Sequence, residues 1–128
     1  MTEEVRKLAA HRIARAQNTF QEGAALLEKG FLVGAVNRFY YASFYAARAL
    51  LATKKLDASK HSGIIALFHE HFVRTGLVNP ATAKALSRSF EQRQDTDYED
   101  FVMVKTEEVK ILQGQVKDFI DVCSKILK

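Results

Sequence analysis

The chain of 128 residues holds one cysteine, one proline and six scattered glycines. A single cysteine, Cys123, excludes an internal disulfide, which is the usage of a cytoplasmic protein. With one proline and no glycine cluster there is no linker and no hairpin signal. No window approaches the roughly 18 consecutive apolar residues that a membrane span needs. The opening stretch MTEEVRKLAAHRIARAQ mixes acids with bases and has no apolar signal-peptide core. The expectation is cytoplasmic, with no membrane partner. Internal repeats, low-complexity segments and a Gly-rich phosphate loop are also missing, and KHSG (residues 60–63) is too short to be such a loop. His69 and His71 stand two apart and would point about 200° away from each other on a helix, whereas ligand pairs sharing one face are four apart. The acids of 95–100 lack the spacing and turn glycine of a calcium loop. No metal and no cofactor are expected.

What is present is helix. The length is that of a single domain, and 48% apolar residues are enough for a core and too many for a disordered chain. Val5, Ala9, Ile13, Ala16, Phe20, Ala24 and Leu27 recur at intervals of three and four, predicting a first helix closed by Gly30 as its C-cap. A second, from about Leu32 to Thr53, is apolar on nearly every side, so it must be central, lie at an interface, or both. A third should run through HSGIIALFHEHFVRTG to Gly76, with Ser59 or Ser62 as N-cap. Asn79 followed by Pro80 starts a fourth, which turns Ala83, Leu86 and Phe90 inward and ends at Arg93. An acidic loop follows, and then a last helix with Val109, Leu112, Val116, Phe119, Ile120, Cys123 and Leu127 on one stripe. Residues 1–128 are therefore expected to form one all-α domain, an up-and-down bundle of four to five antiparallel helices.

A net charge of +4 and a pI near 9.3 permit a nucleic-acid partner without demanding one. Bases cluster at Arg6, Lys7, Arg12 and Arg15, and again at Lys54, Lys55 and Lys60; solvated helix faces would explain both clusters. Cys123 falls on an apolar stripe and should act as a small hydrophobe. Lys60, His61 and Ser62 stand where a helix begins, and free backbone N–H groups with the helix dipole favour an anion there, although capping alone would account for Ser62. Arg38 and Arg48 interrupt the apolar second helix, so each must be paired, face a partner chain, or bind phosphate. Phe39, Tyr40, Tyr41, Phe44 and Tyr45 exceed what one core face takes up, which favours a second chain packing there.

Three segments, GAVNRFYYASFYAARALL, KHSG and SFEQRQDTDY, resemble the HEPN (higher eukaryotes and prokaryotes nucleotide-binding) superfamily, specifically its small stand-alone prokaryotic branch, over roughly residues 5–127. The resemblance implies a four- or five-helix bundle that dimerises around a cleft. Many members are metal-independent ribonucleases, often toxins, marked by an arginine and, after four to six residues, a histidine. Others pair with a minimal nucleotidyltransferase, which in some systems modifies a tyrosine near the motif and silences the toxin.

Carried onto this chain, Arg93 takes the arginine position, and Tyr98 stands where the histidine would be, after Gln94, Asp95, Thr96 and Asp97. RNA cleavage through a 2′-hydroxyl needs proton transfer near neutrality and a cation for the phosphorane. Histidine, with a pKa of about 6.5, can serve; tyrosine, at about 10, is ionised in roughly one molecule in a thousand at pH 7. Arg93 can still clamp phosphate as a planar fork, and His61 would restore proton transfer if it reached the same cleft.

The leading expectation is a homodimer that binds a nucleotide or RNA phosphate through Arg93, Lys60, His61, Ser62 and Arg38, working with a nucleotidyltransferase in a toxin–antitoxin-like pair. The alternatives are a ribonuclease toxin using Arg93 with His61 or Tyr98, and a dimeric interaction domain without catalysis.

Overall fold

Thr2 starts the first helix: its hydroxyl oxygen accepts from the Val5 N–H at 3.2 Å, and Glu3 and Glu4 sit on the positive end of the dipole. The computed structural model describes residues 1–128 as five helices and no strand: α1 (Glu3–Glu28), α2 (Leu32–Thr53), α3 (His61–Phe68), α4 (Pro80–Tyr98) and α5 (Thr106–Leu127). Helix α1 closes as its glycine predicts. Gly30 takes φ +83°, its N–H bonds the Leu27 carbonyl, and the Phe31 N–H reaches back to Leu26 at 2.9 Å. The chain then reverses within three residues, so α1 and α2 form an antiparallel pair.

Helix α2 is central: it packs against α1, α3, α4 and α5. Its small buried residues, Ala35, Ala42, Ala46, Ala47 and Ala49, let those neighbours come close. At one crossing the approach is limited by glycine, since a Cβ on Gly23 of α1 would lie 2.7 Å from the Phe39 ring. The apolar character of α2 is thus explained inside one chain, and a second copy is not needed to account for most of it. Apart from its two end turns, what stays half-exposed on α2 is a single stripe containing Arg38, Tyr41, Tyr45 and Arg48.

Helix α3 departs from expectation twice. Its N-cap is Lys60, and no side chain caps it, neither Ser59 nor Ser62. It also does not run as α-helix toward Gly76 but widens at His69–Val73 into a π-helical turn. That widening puts Phe72 into the core, stacked on Phe68 with ring centroids 5.4 Å apart. The displaced carbonyl of His71 is satisfied by Lys54 Nζ at 2.9 Å and by the Thr75 hydroxyl at 2.8 Å. Gly76 follows at φ +81°.

Helix α4 begins as predicted, with the Asn79 side chain accepting from the Ala81 N–H at 2.8 Å and Pro80 at the first helical position. It does not end at Arg93 but continues to Tyr98. Acids near a helix C-terminus oppose the dipole, which is why the acidic run reads as a loop. An Arg93–Asp97 pair one turn apart and the Thr96 hydroxyl donating to the Arg93 carbonyl at 3.0 Å hold the last turn instead. Helix α5 buries Val109, Leu112, Val116, Phe119, Ile120 and Cys123 along one stripe. Burial pushes the Cys123 thiol well above its usual range, so it is an inert hydrophobe. No helix is long and apolar enough to cross a membrane.

Candidate functional site

The register between α2 and α4 is fixed beneath the surface by two serines. Ser43 Oγ lies 2.9 Å from Ser89 Oγ, and each also lies within reach of a carbonyl of its own helix, Tyr40 at 2.8 Å and Leu86 at 3.0 Å; one hydroxyl donates across to the other, which donates to its own carbonyl. Both residues are fully buried, so another register would lose the cross-helix bond and set a buried hydroxyl against apolar side chains. One turn beyond Ser89 comes Arg93, and one turn before Ser43 comes Tyr40. The serine pair therefore delivers the Arg93 guanidinium over the rings of Tyr40 and Tyr41, 5.3 Å from each centroid.

His61, the first residue of α3, arrives at the same place from the other side. Its Nδ1 lies 2.8 Å from the Tyr40 hydroxyl, and its ring is 4.4 Å from Phe44 and 5.8 Å, edge-on, from Tyr41. Phe90 completes the aromatic floor, 5.7 Å from Tyr40. Partial burial first, then Arg93 and Arg48, hold the imidazole below its ordinary pKa. Burial pushes the Tyr40 phenol above its usual value, against the opposing pull of Arg93.

Arg93 is only 17% exposed. Its Nε is 3.2 Å from Asp97 Oδ2, an ion-pair distance, yet the N–H is not aimed along that line and Nε has no hydrogen bond. The two terminal nitrogens have no protein acceptor and are not sealed from solvent. Arg93 is thus partly neutralised at its inner edge and open at its outer fork, the edge that grips a phosphate bidentately.

The remaining cations extend this point into a face. Arg15 of α1 covers Tyr45 at 4.4 Å, Arg38 covers Tyr41 at 5.3 Å, and Arg48 lies 6.0 Å from Phe44. Arg12 Nη1 donates to the Arg48 carbonyl at 3.1 Å. Burial and then Arg48 lower the Arg12 pKa, with Asp57 opposing. Against these five arginines stand Glu22 (3.9 Å from Arg38), Asp57 (3.3 Å from Arg48) and Asp97. The face is cationic. It is also open to solvent: the Arg38 and Arg48 side chains are about one-third exposed, and Tyr41 and Tyr45 are half-buried.

Of the residues singled out from sequence, Arg93 and His61 come together over Tyr40, with Arg38 alongside on Tyr41. Arg38 and Arg48 are rim residues, about one-third exposed and engaged with Asn37, Glu22 and Asp57 in their own chain. Lys60 and Ser62 are exposed at the start of α3. Tyr98 does not join them. Five positions from Arg93 on one helix, it points about 140° away, and it is 74% exposed. Asp95 is likewise turned from Arg93, toward Val102, Met103 and Val104. Sequence reading missed Tyr40 as the partner of His61, and Arg12 and Arg15 as part of the face. The available signal was the spacing of Arg38, Tyr41, Tyr45 and Arg48, which places all four on one side of α2.

A HEPN domain family model matches residues 9–127. A "UPF0332 protein" of Thermotoga maritima is 40% identical over 114 residues, covering 89% of this chain and 86% of that one. Two Methanocaldococcus jannaschii proteins that carry the name "Putative toxin" are each 30% identical. One match covers 90% of this chain and 78% of the relative, the other 100% and 95%.

Proposed function

The chain belongs to the HEPN domain family, and we propose that it is a cytoplasmic, single-domain protein that holds a nucleotide or RNA phosphate on its arginine–tyrosine face. In this reading it acts as a homodimer and as the partner of a minimal nucleotidyltransferase in a toxin–antitoxin-like system. The observation that carries the reading is Arg93: an always-charged fork, seated on two tyrosine rings, with its terminal nitrogens unclaimed and His61 beside it. The excess of arginine over acid supports an anionic ligand. An open face suits an extended backbone better than a small molecule, which needs enclosure. The guanidinium planes that lie over Tyr41 and Tyr45 offer stacking surfaces for unpaired bases, and such stacking is sequence-tolerant. The toxin names of two relatives support the system class. In this reading Tyr98 is the residue that the partner modifies, and its exposure beyond the face supports that role.

The test is fluorescence anisotropy with a short labelled single-stranded RNA, beside calorimetry with AMP, for wild type and Arg93→Ala. Binding that Arg93→Ala removes supports the reading; no binding of either ligand by wild type rejects it. Mass spectrometry after co-expression with the neighbouring gene product reads adenylate on Tyr98.

A second reading, a metal-independent ribonuclease, is favoured by one observation: His61 reaches Arg93 although the motif position holds Tyr98. Cleavage of RNA in the presence of a chelator, lost in both Arg93→Ala and His61→Ala, is its expected result. RNA left intact by the wild-type protein, with normal growth of expressing cells, rules it out.

A further inference from the structure

Tyr40 has no exposed surface, and a buried phenol needs a hydrogen-bond partner. It makes one hydrogen bond, to Nδ1 of His61 at 2.8 Å. Two proton arrangements fit that distance. In one, the Tyr40 O–H donates to a bare Nδ1 and the imidazole carries its proton on Nε2. In the other, an Nδ1–H donates to the phenol oxygen, and the phenolic hydrogen must find a second acceptor. The hydroxyl has no hydrogen-bond partner besides His61, and against the Tyr40 ring stand the rings of Tyr41, Phe44 and Phe90 and the guanidinium of Arg93, which has donors and no acceptor. The second arrangement strands a buried donor, which costs roughly 1–3 kcal/mol.

We infer that Tyr40 is a positioning residue that fixes His61 as its Nε2–H tautomer, so that His61 meets its ligand as a hydrogen-bond donor to a phosphoryl oxygen. This rests on the reading of the face as a phosphate site and adds the chemical role of one residue. The neutral imidazole then needs no proton uptake to bind an anion at pH 7. It also does not accept a proton at Nε2 from a ribose hydroxyl, which favours phosphate holding over strand cleavage. The charged and titratable groups around His61 agree with a neutral ring: Arg48 from α2, Arg93 from α4 and Lys60 at its own N-cap bring positive charge, Tyr40 and Tyr41 bring phenols, and the one nearby carboxylate, Asp57, is engaged by Arg48.

Long-range proton–nitrogen NMR on histidine-labelled full-length protein at pH 7.5 decides the tautomer directly. The expected spectrum has a bare, downfield Nδ1 and a protonated, upfield Nε2 for His61. Tyr40→Phe should convert this to a mixture of tautomers, and saturating single-stranded RNA should move the Nε2 resonance in wild type. A protonated Nδ1 in wild type overturns the inference whatever the variant does. So does a Tyr40→Phe spectrum identical to that of wild type. If RNA binds in an Arg93-dependent way and leaves Nε2 unmoved, the donor role is overturned. If RNA does not bind at all, the phosphate reading of the face fails, and the spectrum of the free protein still decides what Tyr40 does.

Discussion

Arg93 illustrates how a side chain is divided between structure and ligand. Its inner edge is spent on Asp97 and two rings, and its outer fork is free. Charged hydrogen bonds contribute about 1.5–3 kcal/mol, so Arg93→Ala should weaken binding of a short RNA tenfold or more at fixed salt. Arg93→Lys should recover only part of that, because an ammonium cannot grip two oxygens in one plane. Asp97→Asn removes the competing carboxylate and should tighten binding by roughly twofold, the scale of a rim ion pair. Anisotropy titrations measure all three. His61 adds a pH dependence whose sign follows from its depressed pKa. Below an unfolded-state value of about 6.5 the unfolded chain takes up a proton that the folded chain resists, so stability falls with decreasing pH until the folded pKa is passed. Urea denaturation at pH 7.5 and 5.5 should show this loss in wild type and less of it in His61→Gln. Arg93 was legible as a candidate from the segment around it, and His61 from its place at a helix start. That the two meet was not, because the tyrosine joining them is 21 residues from one and further from the other.

At the scale of helices, the decisive signals are caps and close approaches. Gly30 and the Asn79–Pro80 pair could be read in advance because a cap is satisfied within four residues of itself. The π-helical turn at His69–Val73 could not, since its cause is the distant pull of the core on Phe72 and the carbonyl support from Lys54. Helix α4 runs past its acidic residues for a local reason, the pairing of Asp97 with Arg93, set against the dipole penalty that predicted an earlier end. Gly23 gives the sharpest test of the α1–α2 crossing. Gly23→Ala places a methyl 2.7 Å from the Phe39 ring and should destabilise by about 1–3 kcal/mol through overpacking, despite alanine's better helix propensity. Gly114 of α5 has open space around it, so Gly114→Ala should stabilise by up to about 1 kcal/mol. Chemical denaturation of the two variants should therefore shift in opposite directions.

For the whole molecule, the face of Arg15, Arg38, Tyr41, Tyr45, Arg48 and Arg93 is where α2 is not covered by its own chain. If a second copy covers it, light scattering should give a mass near twice 14.4 kDa. Tyr45→Glu should then lower that mass while the helical circular dichroism signal remains. Two cationic faces brought together repel unless an anion lies between them, so the dimer should be firmer in phosphate than in chloride of equal ionic strength. The sequence by itself determined that this is an all-α bundle with a core helix at position two, because period, caps and composition act over a turn or two of chain. Only the tertiary structure decided that residues 40, 61 and 93 converge, that Tyr98 stands apart, and that Arg38 and Arg48 are rim rather than buried. Those outcomes depend on how α2, α3 and α4 are set against one another by contacts such as Ser43 with Ser89, and contacts across dozens of residues leave no periodic trace along the chain.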